Sequence, residues 1–160
     1  MWSFSTELQE VSRLRGALAL AGYWNGAKDS TATPEWLYNQ LDSEFHFDFD
    51  PCPLNPTFDG LALSWGLRNY VNPPYSDKAP WIRKSLIEHI QGKTIVMLLP
   101  VDTSARWFQR WIHPYASQIR FLNQRLIFPP NKHHAAYASM IVVYDHVNYS
   151  EKYITWNRKQ

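Results

Sequence analysis

Asn72-Pro73-Pro74-Tyr75 is the stretch of this chain whose residue types and spacing are best suited to chemistry. Two consecutive prolines fix the backbone direction, so the Asn72 amide oxygen and the Pro73 carbonyl can both point at one planar amino group. The exocyclic amino nitrogen of a base such as adenine is a poor nucleophile, because its lone pair is delocalised into the ring. Two acceptors on its hydrogens favour a more tetrahedral nitrogen as an electrophile arrives, and Tyr75 offers a ring on which an extracted base can stack. No covalent enzyme intermediate is required. The alternative reading of the same four residues is an ordinary Asn-Pro turn followed by a surface tyrosine.

The elements that must position this loop are legible around it. Thr33-Pro34-Glu35 has the order hydroxyl cap, proline at the first helical position and acid in the first turn, and Leu37 and Leu41 follow on one face. Phe45 to Asp50 alternates apolar and polar residues, the period of a strand with one buried face, and Pro51-Cys52-Pro53 stops it. A second strand is expected over Arg68 to Asn72, then a helix with Trp81, Ile82, Ser85, Leu86 and His89 on one face up to Gly92. A buried strand over Thr94 to Leu99 comes next. The cycle repeats with a helix capped by Thr103 or Ser104, carrying Trp107, Phe108 and Trp111, and a strand over Gln118 to Leu122. Extended stretches at Arg125 to Phe128 and Ser139 to Tyr144 flank a polar loop. An amphipathic helix over about Thr6 to Leu20 precedes everything else. Strands alternating with helices predict an α/β fold with a mostly parallel sheet, in which ligands gather outside the carboxyl ends of the strands. Asp50, Asn72 and Pro100 to Thr103 fall at those ends.

A chain of 160 residues with 45% hydrophobic content is long enough for one core. The expected division is an N-terminal helical extension over 1–30, a single domain over 31–148 and a polar tail over 149–160. A net charge of +2 permits an anionic partner without demanding one. Aromatic residues make up 16% of the chain, most of them expected to fill the core and a few near the loop available for stacking on bases. The single cysteine, Cys52, rules out an internal disulfide and suits a reducing cytosol. It is expected as a small apolar contact rather than a nucleophile. No secretory signal or membrane span is read, which predicts a soluble, cytoplasmic protein. The histidines lack metal-ligand spacing, so no metal site is expected.

Asn72-Pro73-Pro74-Tyr75 resembles motif IV of amino-methyltransferases, a group whose acceptors include DNA and RNA bases and protein glutamine. Taken in order, Thr33-Pro34, Asp50-Pro51-Cys52, Asp59-Gly60-Leu61, Trp65, Asn72-Pro73-Pro74-Tyr75, Trp81, Leu98-Leu99-Pro100, Trp107-Phe108 and Arg125 to Phe128 resemble the phage-type DNA N-6-adenine methyltransferase (Dam) family. The likeness covers about Ser30 to Tyr144. It implies a Rossmann-like, S-adenosylmethionine-dependent methyltransferase fold closed by a C-terminal antiparallel hairpin, with adenine in DNA as acceptor and the cytoplasm of a host cell as location if the gene belongs to a phage. The chain departs from the broader superfamily in one respect: none of its six glycines forms the G-x-G of motif I. Too little chain separates Asp50 from Asn72 for two further strand and helix units, so the sheet should be abbreviated. An abbreviated sheet in turn predicts self-association as a homodimer.

The resemblance also implies site residues. Thr33 and Pro34 would open a helix whose N-terminus receives the cofactor's carboxylate, Asp50 with Cys52 would meet its amino group, and Asn72 would lie against the methyl donor. Plain capping for Thr33 and a turn role for Asp50 stand beside that reading. Tyr75, Lys78, Arg125, Lys132 and His133 are the candidates for touching nucleic acid, with Arg83, Lys84 and His134 near them. A solvated face or loop is the alternative for the cations, and a carboxylate inside the fold for Arg125. Two further functions fit the same residues. One is a non-catalytic nucleic-acid-binding relative, and the other is transfer to RNA, cytosine or a glutamine side chain.

Overall fold

The computed structural model describes residues 31–158, so the helix expected over Thr6 to Leu20 and the rest of the extension 1–30 lie outside the described residues. Helix α1, Glu35–Phe45, buries Leu37, Leu41 and Phe45 along one stripe. It ends where His46 adopts a left-handed conformation at φ 52°, with its amide donating to the Asp42 carbonyl. Phe45 therefore closes a helix, and the strand expected over Phe45 to Asp50 is not formed. Its alternation misleads because the phenylalanines do not share a face: Phe45 and Phe47 join one apolar layer and Phe49 the other. What remains is an extended segment alongside β1, Arg68–Val71, with a single parallel bridge between Phe49 and Asn69. Pro51 and Pro53 have no N–H with which to continue it.

Beyond β1 a short 3₁₀ turn, Tyr75–Asp77, leads into α2, Lys78–Ile90, and Gly92 turns the chain at φ 97°, a conformation glycine adopts without strain. Strand β2, Thr94–Pro100, is buried on both faces, which explains its unbroken apolar run. The helix expected after it is a π-helical segment, Phe108–Ile112. Neither Thr103 nor Ser104 caps it: Trp107 is the N-cap and no side chain bonds the first turn, while in the preceding turn the Asp102 carboxylate accepts the Ala105 amide at 3.1 Å and the Ser104 hydroxyl at 2.8 Å. Strands β3, Gln118–Leu122, and β4, Ser139–Tyr144, follow, then β5, Tyr153–Trp156.

The five strands form one sheet in the order β1-β2-β4-β3-β5. β1 pairs parallel with β2 and β5 parallel with β3, while β4 runs antiparallel between β2 and β3, so the sheet is mostly parallel with one strand reversed. The closing hairpin is therefore placed differently from expectation. β4 pairs with β3 and β2, and Arg125 to Phe128 stays in the β3–β4 loop, where it drops Leu126 and Phe128 into the core instead of forming a ladder. Within the polar tail expected over 149–160 lies β5. Tyr153-Ile154-Thr155-Trp156 consists of aromatic and β-branched residues, and they extend the sheet in register from Ile119↔Tyr153 to Leu122↔Trp156.

Two apolar layers sandwich the sheet. Val71, Ile95, Met97, Leu99, Val142 and Tyr144 face α2 and the π-helical segment. Tyr70, Val96, Leu98, Ile141 and Val143 face α1 and the buried side of the β3–β4 loop. Arg120, buried within β3, fastens α1 to the second layer through a bidentate pair with Glu44 at 2.6 and 2.7 Å. No helix of the described residues is long and apolar enough to cross a membrane. Strands β1, β2, β3 and β5 all end at one edge of the sheet, and the loop after β1 emerges there.

Candidate active site

Asn72 follows the last residue of β1, so its side chain is carried by the sheet rather than by a free loop. Its Nδ2 donates to the Thr31 carbonyl at 3.0 Å and to Thr33 Oγ1 at 3.2 Å. A carbonyl can only accept, so the amide nitrogen must face Thr31 and the oxygen Oδ1 must point the other way. No described residue donates to that oxygen. Thr33 Oγ1 also lies 2.7 Å from Tyr70 Oη, and Tyr70 is wholly buried, so its phenol is held far above its ordinary titration range by desolvation. The Thr33 hydroxyl thus does not cap α1. Pro34 is the N-cap, no side chain bonds the first turn, and the hydroxyl is turned onto Tyr70 and Asn72 instead. The structure therefore brings Thr33 and Asn72, 39 positions apart, into direct contact.

Asp50 lies beside Tyr70, at the end of the extended segment that flanks β1. Its Oδ1 accepts the Cys52 amide at 2.8 Å. Burial pushes its carboxyl up to about 6, with the Cys52 amide pulling in the opposite direction. Among the described residues no cation pairs with it. The Cys52 side chain packs against the apolar layer under α2, as expected of a small apolar contact. Tyr38 of α1 packs edge-on to Tyr70 at 5.1 Å between ring centroids and 5.8 Å from Phe47. This aromatic floor beside Asp50 was not singled out in the sequence. Tyr70 stood two places before Asn72 on a strand with a buried face, which is the signal that would have found it.

Tyr75 is turned inward. Its ring meets Phe128 edge-on at 6.1 Å and Tyr137 at 5.4 Å, and its buried hydroxyl has no hydrogen-bond partner. Desolvation holds that phenol well above its ordinary range. Pro73 is buried beneath the loop, and Pro74 accepts the Asp77 amide at 3.1 Å. Lys78, expected at nucleic acid, bends back on its own loop: Nζ donates to the Tyr75 carbonyl at 2.6 Å and lies 5.5 Å from the centre of the Trp107 ring.

The β3–β4 loop rises at the same edge, since β4 begins opposite the last residue of β2. Its base is fastened by Ala135 N–H to the Leu126 carbonyl at 2.7 Å and by the His134 ring to the Arg125 carbonyl at 2.8 Å. Leu126 and Phe128 are buried, while Arg125, Lys132, His133 and His134 are exposed. Arg125 meets no carboxylate among the described residues. The loop thus sets Phe128 and Tyr137 against the Tyr75 ring and leaves its basic side chains on the outside. The described residues contain no group of three His, Cys, Asp or Glu side chains that could hold a metal ion.

The family described as DNA N-6-adenine-methyltransferase (Dam) matches residues 24–159. The DNA N-6-adenine-methyltransferase of Haemophilus phage HP1 (strain HP1c1) is 30% identical to the chain, across 66% of this chain and 69% of its own length. No solved structure gives a significant match.

Proposed function

The chain belongs to the DNA N-6-adenine-methyltransferase (Dam) family, and from that premise we propose that it transfers a methyl group from S-adenosylmethionine directly to the amino nitrogen of an adenine flipped out of DNA. The observation that carries the reading is the orientation of Asn72: both hydrogen bonds of its amide leave from Nδ2, so Oδ1 is kept as an acceptor. Together with the Pro73 carbonyl it would take the two hydrogens of the adenine amino group. Tyr75 would support the base once its ring leaves Phe128 and Tyr137.

The residues present fit the cofactor. A desolvated carboxylate with one accepted hydrogen bond and no cation beside it among the described residues is costly alone and is completed by an ammonium group. Asp50, with the Cys52 amide steadying it, would hold the amino end of S-adenosylmethionine. The N-terminus of α1 after Thr33-Pro34 would face its carboxylate. When bound, the cofactor supplies an electrophilic methyl group on a sulfonium. Arg125, Lys132 and His133 would approach DNA phosphates from the β3–β4 loop, whereas Lys78 supports the loop from below. A reversed strand between parallel ones also supports a Rossmann-like methyltransferase fold, with residues 31–148 as the methyltransferase domain and Tyr153–Trp156 joining its sheet. The relative's phage origin supports a cytoplasmic location in a host cell. Self-association belongs to the same reading, and a monomer by light scattering at micromolar concentration would count against it.

The deciding experiment is transfer of labelled methyl groups to DNA, RNA and protein in parallel, with Asn72→Ala beside the natural chain. Methylation of adenine in DNA that disappears in Asn72→Ala, while DNA binding persists, is the expected result. Undiminished methylation by that variant would defeat the assignment of Asn72. Absence of cofactor binding by calorimetry at millimolar S-adenosylmethionine would favour a non-catalytic nucleic-acid-binding relative, and label in RNA, in cytosine or in glutamine would move the acceptor.

A further inference from the structure

The glycine-rich loop that would steady a cofactor acid is missing from this sequence, yet Asp50 sits on a backbone that is braced from outside. Asp59 opens a turn in which its carboxylate accepts the Leu61 amide at 2.9 Å and its carbonyl the Ala62 amide at 3.0 Å. That turn presses Gly60 directly onto Pro51. A Cβ at Gly60 would lie 1.8 Å from the Pro51 carbonyl oxygen and 2.8 Å from its carbon, so only glycine permits this backbone-to-backbone contact. Trp65 locks the turn in place, its indole Nε1–H donating to the Gly60 carbonyl at 2.6 Å.

Trp65 is itself anchored to α2. Its ring stacks 6.4 Å from Trp81, and its carbonyl accepts Lys93 Nζ at 2.8 Å. Its amide faces Glu88 Oε2 at 3.4 Å, and Glu88, almost fully buried, is held by Lys84 at 2.5 Å and by Lys93. Contacts therefore run without a gap from α2 through Trp65 and Gly60 to Pro51, the residue after Asp50. The same helix supplies Lys78 to the Tyr75 carbonyl.

We propose that Trp65 and Gly60 are positioning residues for cofactor binding: they form a brace from α2 that sets the Asp50-Pro51-Cys52 turn and takes over the task of the missing glycine-rich loop. Neither touches substrate. The inference rests on the function proposed above, in which Asp50 meets S-adenosylmethionine.

The test uses the full chain. Trp65→Phe keeps an aromatic ring in the stack and removes the indole donor together with part of the ring's volume; Gly60→Ala forces Pro51 to move. Calorimetric titration with S-adenosylmethionine should show affinity reduced by about fivefold in Trp65→Phe, the equivalent of one ordinary hydrogen bond, and by more in Gly60→Ala. In steady-state assays the cofactor KM should rise while kcat at saturating cofactor and the KM for DNA stay near those of the natural chain. Cofactor affinity and KM unchanged in both variants would overturn the proposal. So would equal losses of cofactor and DNA affinity, which would make the brace a general folding element. If the natural chain itself binds no S-adenosylmethionine, the reading of Asp50 fails; binding that survives in both variants fails the brace alone.

Discussion

Burial of Asp50 carries a cost that no cation among the described residues offsets. Its carboxyl is raised to about 6 by burial, so the folded chain holds a proton there at pH values where the unfolded chain has released it. A raised acid stabilises the fold below the unfolded value and loses that advantage as pH rises through the folded value, with the penalty persisting above it. Asp50→Asn retains an acceptor for the Cys52 amide and removes the charge. It should raise stability by about 1–2 kcal/mol at pH 8, after allowance for partial exposure, and by little at pH 4, as read by urea denaturation. The same substitution should abolish cofactor binding measured by calorimetry. In the natural chain, cofactor affinity should weaken below pH 6 as the carboxylate is protonated. Tyr75 carries the other local penalty, a buried hydroxyl without a partner. Tyr75→Phe should raise the melting temperature by the equivalent of about 1 kcal/mol and leave a ring for stacking, and a lower melting temperature would show that the hydroxyl is satisfied. Both residues were legible as candidates from their place near strand ends. Neither penalty was, since burial is set by Tyr38, Phe128 and Tyr137, which are remote in sequence.

Helix α2 is the element that spans the site. Its first residue, Lys78, bonds the Tyr75 carbonyl, and its Trp81, Lys84 and Glu88 hold Trp65 near the other end. Lys78 looked like a phosphate contact in the sequence because a lysine beside a nucleic-acid loop suits that role; its side chain is instead long enough to fold back onto its own loop. The two roles give opposite results. Lys78→Met should lower turnover several-fold while the slope of log affinity for DNA against log salt stays the same, whereas Lys132→Ala and Arg125→Ala should each reduce that slope by about 0.9. A reduced slope for Lys78→Met would return the residue to the DNA surface. The helix itself was plain from its apolar spacing and from Gly92. The strand predicted before Asp50 failed because period-two alternation in Phe45, Phe47 and Phe49 is satisfied equally by a helix end followed by an extended chain touching two layers.

At the scale of the whole molecule, the edge opposite the site is closed by charge. Burial would raise the Glu88 carboxyl, but the Lys84 and Lys93 ammoniums hold it below the usual carboxylate range. A lowered acid contributes stability above its unfolded value and loses it as pH falls through the folded one, so the triad strengthens the fold at neutral pH and releases it in acid. Glu88→Ala leaves buried Lys84 without its partner and should cost about 3–5 kcal/mol in urea denaturation at pH 7, with a smaller difference from the natural chain at pH 3. A neutral substitution at pH 7 would show the triad to be dispensable. Hydrophobic period, proline stops and the Asn72 to Tyr75 order are local properties, and the sequence by itself determined from them an α/β chain with its candidate catalytic loop after the first full strand, together with the family resemblance. Pairing partners, the reversal of β4 between β2 and β3, the capture of Tyr153–Trp156 as a strand, the turning of Thr33 onto Asn72 and the brace on Asp50 were decided only by the tertiary structure. Each depends on which distant residues bury one another, and that is settled when the two apolar layers close on the sheet, not by the spacing of residues along any one segment.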